Sequence, residues 1–282
     1  MLGPDDLVVT ASTLGNPPLR TLVEAASAGG FAGLSIFPSE TYHPAVASGS
    51  SPAELRSILD DHGVVVNDVD ALVCTGDPGD AGAGGMGSAG EAMLFEAAEE
   101  LRANFVNVVF MARQPMSVEQ GAEIFAGVCD RAAEHGLSAY LEFVPFMTVP
   151  DAATAWAIVE QAGRPGSGIM VDSWHVFRGS TSEEELRAIP GERVLGIQLN
   201  DAPAEPIEKN MVEETLHHRL VPGEGDIDLV AHMRLLDEIG SPAPRCAEVF
   251  SDSLLASGTP EQISVRVGDA LRAIRARARG SD

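Results

Sequence analysis

The sequence predicts an α/β fold, a single (β/α)8 TIM barrel formed by residues 1–282 as one domain. Three observations point to it. Short apolar runs of β type alternate with amphipathic helical stretches eight times along the chain. The length of 282 residues is close to the roughly 250 that one such barrel takes. No linker-like change of composition divides the chain. Eight β-then-α units with mostly short connections favour a closed parallel barrel over an open doubly wound sheet. The open sheet normally carries a glycine-rich phosphate turn after its first strand. Here that turn reads Ala11-Ser-Thr-Leu-Gly15, without the G-x-G-x-x-G spacing.

The elements follow in order. Leu7-Val-Val-Thr10 is a first strand, followed by a helix from about Pro18 to Ala28. Gly33-Leu-Ser-Ile-Phe37 is the second, and Ser51-Pro-Ala-Glu opens the next helix with Ser51 as N-cap and proline at the first helical position. Val64 to Val69 is the third strand. A glycine- and alanine-rich loop from Gly76 to Gly90 leads into a helix ending near Asn104. Phe105 to Phe110 is the fourth strand, and a helix from Ser117 to His135 is closed by Gly136. The second half repeats the pattern with strands at Ala139–Phe143, Gly168–Asp172, Leu195–Leu199 and Arg245–Val249. Helices near Asp151–Ala162, Ser182–Ala188, Leu229–Ile239 and Glu261–Ala278 follow them. The connection at about 202–227 is too long for filler; on a barrel it overhangs the C-terminal face, where such loops carry function.

Charge excludes several classes. Asp and Glu number 42 against 18 Lys and Arg, a formal net charge of −24. Nucleic-acid affinity rests on cations displacing phosphate counterions, so a polyanionic partner is not expected. The arginines at 272, 275, 277 and 279 end a helical pattern and read as cations at the negative end of a helix dipole. No apolar run reaches the roughly 20 residues of a membrane helix, and the N-terminus lacks a secretory signal. A cytoplasmic location is expected, with no membrane partner. The three cysteines, Cys74, Cys129 and Cys246, are an odd number without close pairing, so reduced thiols are expected.

The second-half strands hold residues that do not suit a barrel interior. Glu142, Asp172, Gln198 and Glu248 each interrupt an apolar run, at or near the C-terminal end of its strand, where barrel enzymes place their chemistry. A buried unpaired carboxylate costs several kcal/mol, roughly, so an ion or a basic partner must compensate. Lysine occurs once, at Lys209, and the arginines fall mostly on helical stretches. The simplest compensation is one divalent metal ion. Three carboxylates and an amide oxygen favour Mn²⁺, with Mg²⁺, Co²⁺ or Zn²⁺ as alternatives. The strand period of two turns Tyr140 and Val144 inward with Glu142, and Cys246 and Phe250 inward with Glu248. Trp174, Phe146, Phe110 and Phe250 are candidates for apolar walls.

The arrangement resembles the xylose-isomerase-like barrel family of sugar isomerases, epimerases and related lyases, over nearly the whole chain. In that family Glu, Asp, His or Gln, and a final Glu hold one divalent metal, and Glu142, Asp172, Gln198 and Glu248 stand at the matching positions. Asp172-Ser-Trp-His175 is similar to the family's D-x-x-H, which implies that His175 binds substrate. His218-Arg-Leu-Val-Pro-Gly-Glu-Gly-Asp-Ile is similar to the family's arginine and P-G-E-G segment, which implies that Arg219 contacts substrate oxygens. Gln198-Leu-Asn-Asp201 takes the place of the frequent H-x-K-D, with Asp201 read as a structural partner at the strand end.

The chemistry expected is a divalent-metal-dependent isomerase or epimerase of a sugar or hydroxy-ketone. A polarised carbonyl acidifies its neighbouring C–H, and Glu142 and Glu248 serve as the catalytic acid and base. The alternative is a metal-dependent lyase or dehydratase of dehydroshikimate, inosose or 3-oxo-sugar type. Gln198 is shared with the dehydratases, whereas Val144 and Asn200 stand where those have a histidine and a lysine. An endonuclease relative needs histidine ligands on early strands, and only His43 and His62 occur there, in a loop and a helix end. A non-catalytic barrel is the remaining reading. The expected partner is a small-molecule carbohydrate or polyhydroxy-ketone; the oligomeric state is left open, a homo-oligomer included.

Overall fold

The computed structural model describes residues 1–76 and 90–280. Eight parallel strands close on themselves in sequence order. They are β1 (Leu7–Thr10), β2 (Gly33–Ile36), β3 (Val65–Cys74), β4 (Phe105–Phe110), β5 (Ser138–Glu142), β6 (Gly168–Asp172), β7 (Val194–Leu199) and β8 (Arg245–Ala247). β1 pairs with both β2 and β8, which completes the ring. The fold class read from the sequence is the one observed. The loop read between Gly76 and Gly90 lies, apart from its two end residues, outside the described residues.

Local chemistry explains where the helices begin. Ser51, Ser117, Ser182 and Thr259 each cap a helix, and Glu54, Gln120, Glu185 and Gln262 reach back to the cap residue's own N–H. Each reciprocal pair satisfies two orphan donors, and the cap hydroxyl is worth about 1 kcal/mol. Pro52 and Pro260 follow two of these caps, where no N–H is needed.

Two strand readings are corrected. β3 runs through Cys74 rather than stopping at Val69: Asp70 is a buried strand residue, and pairing with β4 resumes from Leu72 to Cys74. β8 ends at Ala247, so Glu248 lies one residue beyond it. His43, read as a loop residue, belongs to the short helix Tyr42–Ala47.

Most apolar side chains fill the space between strands and helices. A smaller cluster of Phe105, Tyr140 and Met170, with Leu195 against it, packs separately. A Cβ on Gly196 of β7 would lie 2.6 Å from Met170 Cε and 3.2 Å from the Tyr140 ring, so a side chain there would require Met170 to shift. Tyr140 and Glu142 share one face of β5, two residues apart. The inward face of that strand therefore passes from packed aromatic to carboxylate toward its C-terminal end. No helix among the described residues is long and apolar enough to cross a membrane.

Candidate active site

A cavity of about 250 Å³ opens at the C-terminal ends of the strands, and Glu142, His175, Arg219, Glu248 and Asp70 all line it. Asp172 and Gln198 are fully buried beside these residues. Of the four aromatic residues considered as walls, Phe146 and Phe250 line the cavity, while Trp174 and Phe110 are buried in the structure.

Each sequence-predicted residue has a defined place. Glu142 ends β5, and its Oε1 lies 3.1 Å from His175 Nε2. Asp172 ends β6 and caps the helix Ser173–Arg178: its Oδ1 accepts from the backbone N–H of Trp174 at 2.7 Å and of His175 at 3.0 Å. This cap explains the D-x-x-H spacing, since it turns His175 back over the strand end. Gln198 sits in register with Asp172 on the neighbouring strand. Its Nε2 donates to Glu248 Oε1 at 2.9 Å, and its Oε1 is buried without a hydrogen-bond partner.

Arg219 brings a cation to the site, in a sequence with few to spare. Its Nη1 donates to Asp172 Oδ2 at 2.9 Å and to Glu248 Oε2 at 3.0 Å. Nη2 donates to Thr215 Oγ1 at 2.7 Å. The guanidinium stands 5.7 Å from the Trp174 ring and 5.2 Å from that of Phe250, distances at which ring quadrupoles attract a cation. The long connection delivers it. Asp201 anchors that segment by accepting from the backbone N–H of Ala202, Gly223 and Ile227 at 2.8, 2.8 and 3.0 Å. Arg178 holds the helix Met211–His217 through Glu214 at 2.7 Å.

Two site residues were missed from sequence. Asn107 of β4 donates through Nδ2 to Asp70 Oδ1 at 2.9 Å and to Glu142 Oε2 at 2.6 Å, while its own Oδ1 is buried and unpartnered. Asn107 interrupts the apolar run of β4, the same signal that marked the later strands, whereas Asp70 follows Asn67 and Asp68 in a more polar stretch of β3.

The electrostatics show a shortage of positive charge. Burial pushes the Asp70 and Glu248 carboxyls well above the usual range. Glu142 and Asp68 push Asp70 further up; Asp70, Glu142 and Asp172 do the same for Glu248, against the opposing pull of Arg219. Burial opposes ionisation of Asp172 too, but Arg219, His175 and two backbone N–H groups bring it below its ordinary value. Four carboxylates thus share one guanidinium. Oxygens of Glu142 and Asp172 and a ring nitrogen of His175 lie within 4.8 Å of one another, a grouping that could hold a metal ion. Glu248 is not in that grouping, its Oε2 being held by Arg219 and its Oε1 by Gln198. Gln198 Oε1, buried without a partner, is a further oxygen donor of the kind a divalent ion takes.

Fold and site together define a (β/α)8 barrel with an acid-lined pocket at the C-terminal ends of its strands. Residues 23–275 match the family described as Xylose isomerase-like TIM barrel, and the chain belongs to that family. Among curated proteins, it is 32% identical over 134 residues to an inosose isomerase of Bacillus velezensis, covering 47% of this chain and 46% of that protein. It is 29% identical over 119 residues to a 3-dehydroshikimate dehydratase of Pseudomonas putida, covering 42% of this chain and 18% of the relative. The chain thus spans less than half the length of these two relatives. A solved structure of the IOLI protein with a bound zinc atom superposes with a TM-score of 0.82 at 22% identity, covering 97% of this chain and 99% of the other. At that identity the likeness concerns the fold.

Proposed function

We propose that the protein is a divalent-metal-dependent isomerase or epimerase of a small sugar or hydroxy-ketone. The observation that carries this reading is that Glu142, ending β5, and Glu248, just beyond β8, line one cavity from strands three apart in an eight-strand ring. A substrate between them has a carboxyl group on either side.

Glu142, Asp172, Gln198 and Glu248 would hold the ion, with Mn²⁺ the first choice for a mainly oxygen donor set. Bound there, it polarises a carbonyl and acidifies the adjacent C–H. One glutamate takes that proton as base, and the other returns a proton to the same carbon or its neighbour. The first outcome is epimerisation, the second isomerisation; no atom is lost in either. His175 and Arg219 line the cavity and orient substrate oxygens, while Asn107 fixes the Glu142 carboxylate through its 2.6 Å hydrogen bond.

The second reading is a dehydratase, favoured by the partial match to a protein named 3-dehydroshikimate dehydratase. In that case the same base removes the proton, and the second glutamate protonates a departing β-hydroxyl, which leaves as water.

A single experiment tests both. Ketoses, keto-inositols, 3-oxo-glucosides and dehydroshikimate are incubated with Mn²⁺-supplemented protein in D₂O and followed by NMR. Deuterium entering the carbon beside the carbonyl with retention of all oxygens supports the isomerase; loss of water supports the dehydratase. Absence of both from every class overturns the proposal.

A further inference from the structure

The two sides of the cavity differ in chemistry. Val73 of β3 pairs in register with Val109 of β4, and Val109 with Glu142 of β5. Laterally paired strand residues face the same side, so both valines point inward at the height of the carboxylate. Val144 lies two residues beyond Glu142. These three form an apolar cluster separate from the main core, with Ala71, Phe146 and Met147 against it, and all six line the cavity. The side beyond β8, β1 and β2 carries Glu248, Ser12, Asn16 and Glu40 beside Phe37 and Phe250. Met111, Phe146 and Met147 also line a second cavity of about 840 Å³, which continues to Arg113, Met116 and Val212.

A free sugar carries a hydroxyl on nearly every carbon. Asp70 and Glu142 line the cavity beside these residues, but hydroxyls pressed onto the six apolar side chains themselves find no partner on them and lose their water. An alkyl or aryl group on the same wall loses nothing and gains burial, and methionines adapt to flat apolar ligands. We propose that the substrate is amphipathic: a hydroxy-ketone head meets the carboxylates, and an apolar substituent lies along Val73, Val109, Val144 and Met147 toward the second cavity. This rests on the hydroxy-ketone reading above and adds the chemistry of the substrate's other end.

The test compares two ligands with one head, hydroxyacetone and phenacyl alcohol, in which phenyl replaces methyl. Their dissociation constants are measured by calorimetric titration of the Mn²⁺-loaded protein. Phenacyl alcohol is expected to bind about ten-fold tighter or more, from the added apolar burial. Met147→Gln, on a part-exposed residue, and Val109→Thr, of nearly equal size, are expected each to cut that ratio about five-fold or more. Equal affinities, tighter hydroxyacetone, no binding of phenacyl alcohol, or a ratio unmoved in both variants overturns the subsite. The head reading is judged separately by deuterium exchange, so its failure is distinguishable from failure of the wall.

Discussion

Arg219 Nη1 ties the end of β6 to the segment beyond β8, at 2.9 Å from Asp172 and 3.0 Å from Glu248. The two acids lie 76 residues apart in sequence (172 to 248), yet one buried nitrogen serves both. Removing that cation leaves two carboxylates without it in the barrel interior, where a broken ion pair is expensive. Arg219→Gln is expected to lower the unfolding free energy of metal-free protein by about 3–5 kcal/mol. Urea denaturation in EDTA checks this, and a loss below about 1 kcal/mol contradicts it.

The raised carboxyls give a pH dependence with a definite sign. Asp70 and Glu248 are held above their unfolded values, so the fold keeps protons that the unfolded chain releases. Their contribution is present below the unfolded carboxylate range and is lost as pH rises through the raised values. Asp172 is shifted the other way; its contribution is present above its unfolded value and is lost only as pH falls through the lowered one. Metal-free protein should therefore weaken as pH rises above the unfolded carboxylate range. A divalent ion offsets this by stabilising the ionised acids. The rise in Tm caused by Mn²⁺ should be larger at about pH 8 than at about pH 5.5; scanning fluorimetry showing the reverse contradicts the charge account.

Both glutamates are expected to be indispensable. Glu142→Gln and Glu248→Gln keep size and polarity but can neither take nor return a proton. Each should lower kcat by about a thousand-fold or more, with the fold intact by circular dichroism. Wild-type-like turnover in either variant contradicts the two-carboxylate scheme.

Asp201 governs the segment that supplies Arg219. Its three backbone hydrogen bonds join an ionised acceptor to amide donors, worth about 1.5–3 kcal/mol each before compensation. Asp201→Ala should open residues 202–227 to limited proteolysis and lower kcat/KM at least ten-fold, roughly. Unchanged cleavage contradicts this role.

Much of the fold was legible because strand chemistry is local. Leu7–Thr10, Phe105–Phe110 and Gly168–Asp172 stand where their apolar runs begin and end, and Ser51 and Pro52 announce their helix. β3 was cut short at Val69, before Asp70, although Asp70 is buried in the strand. The later acids stood out, each alone in an apolar run. Asn107 gave the same signal on β4, but Asp70 was masked by Asn67 and Asp68 beside it in β3. The bridge made by Arg219 was not legible at all, since ion pairs spanning 47 and 29 residues depend on barrel closure and leave no local pattern.

Metal content tests the central claim most directly. Protein equilibrated with Mn²⁺, freed of excess and measured by plasma mass spectrometry should hold about one ion per chain. Asp172→Ala and Glu248→Ala should each hold less than about a fifth of that. Wild-type protein without stoichiometric metal, or variants that retain it in full, would contradict an ion seated among these four side chains.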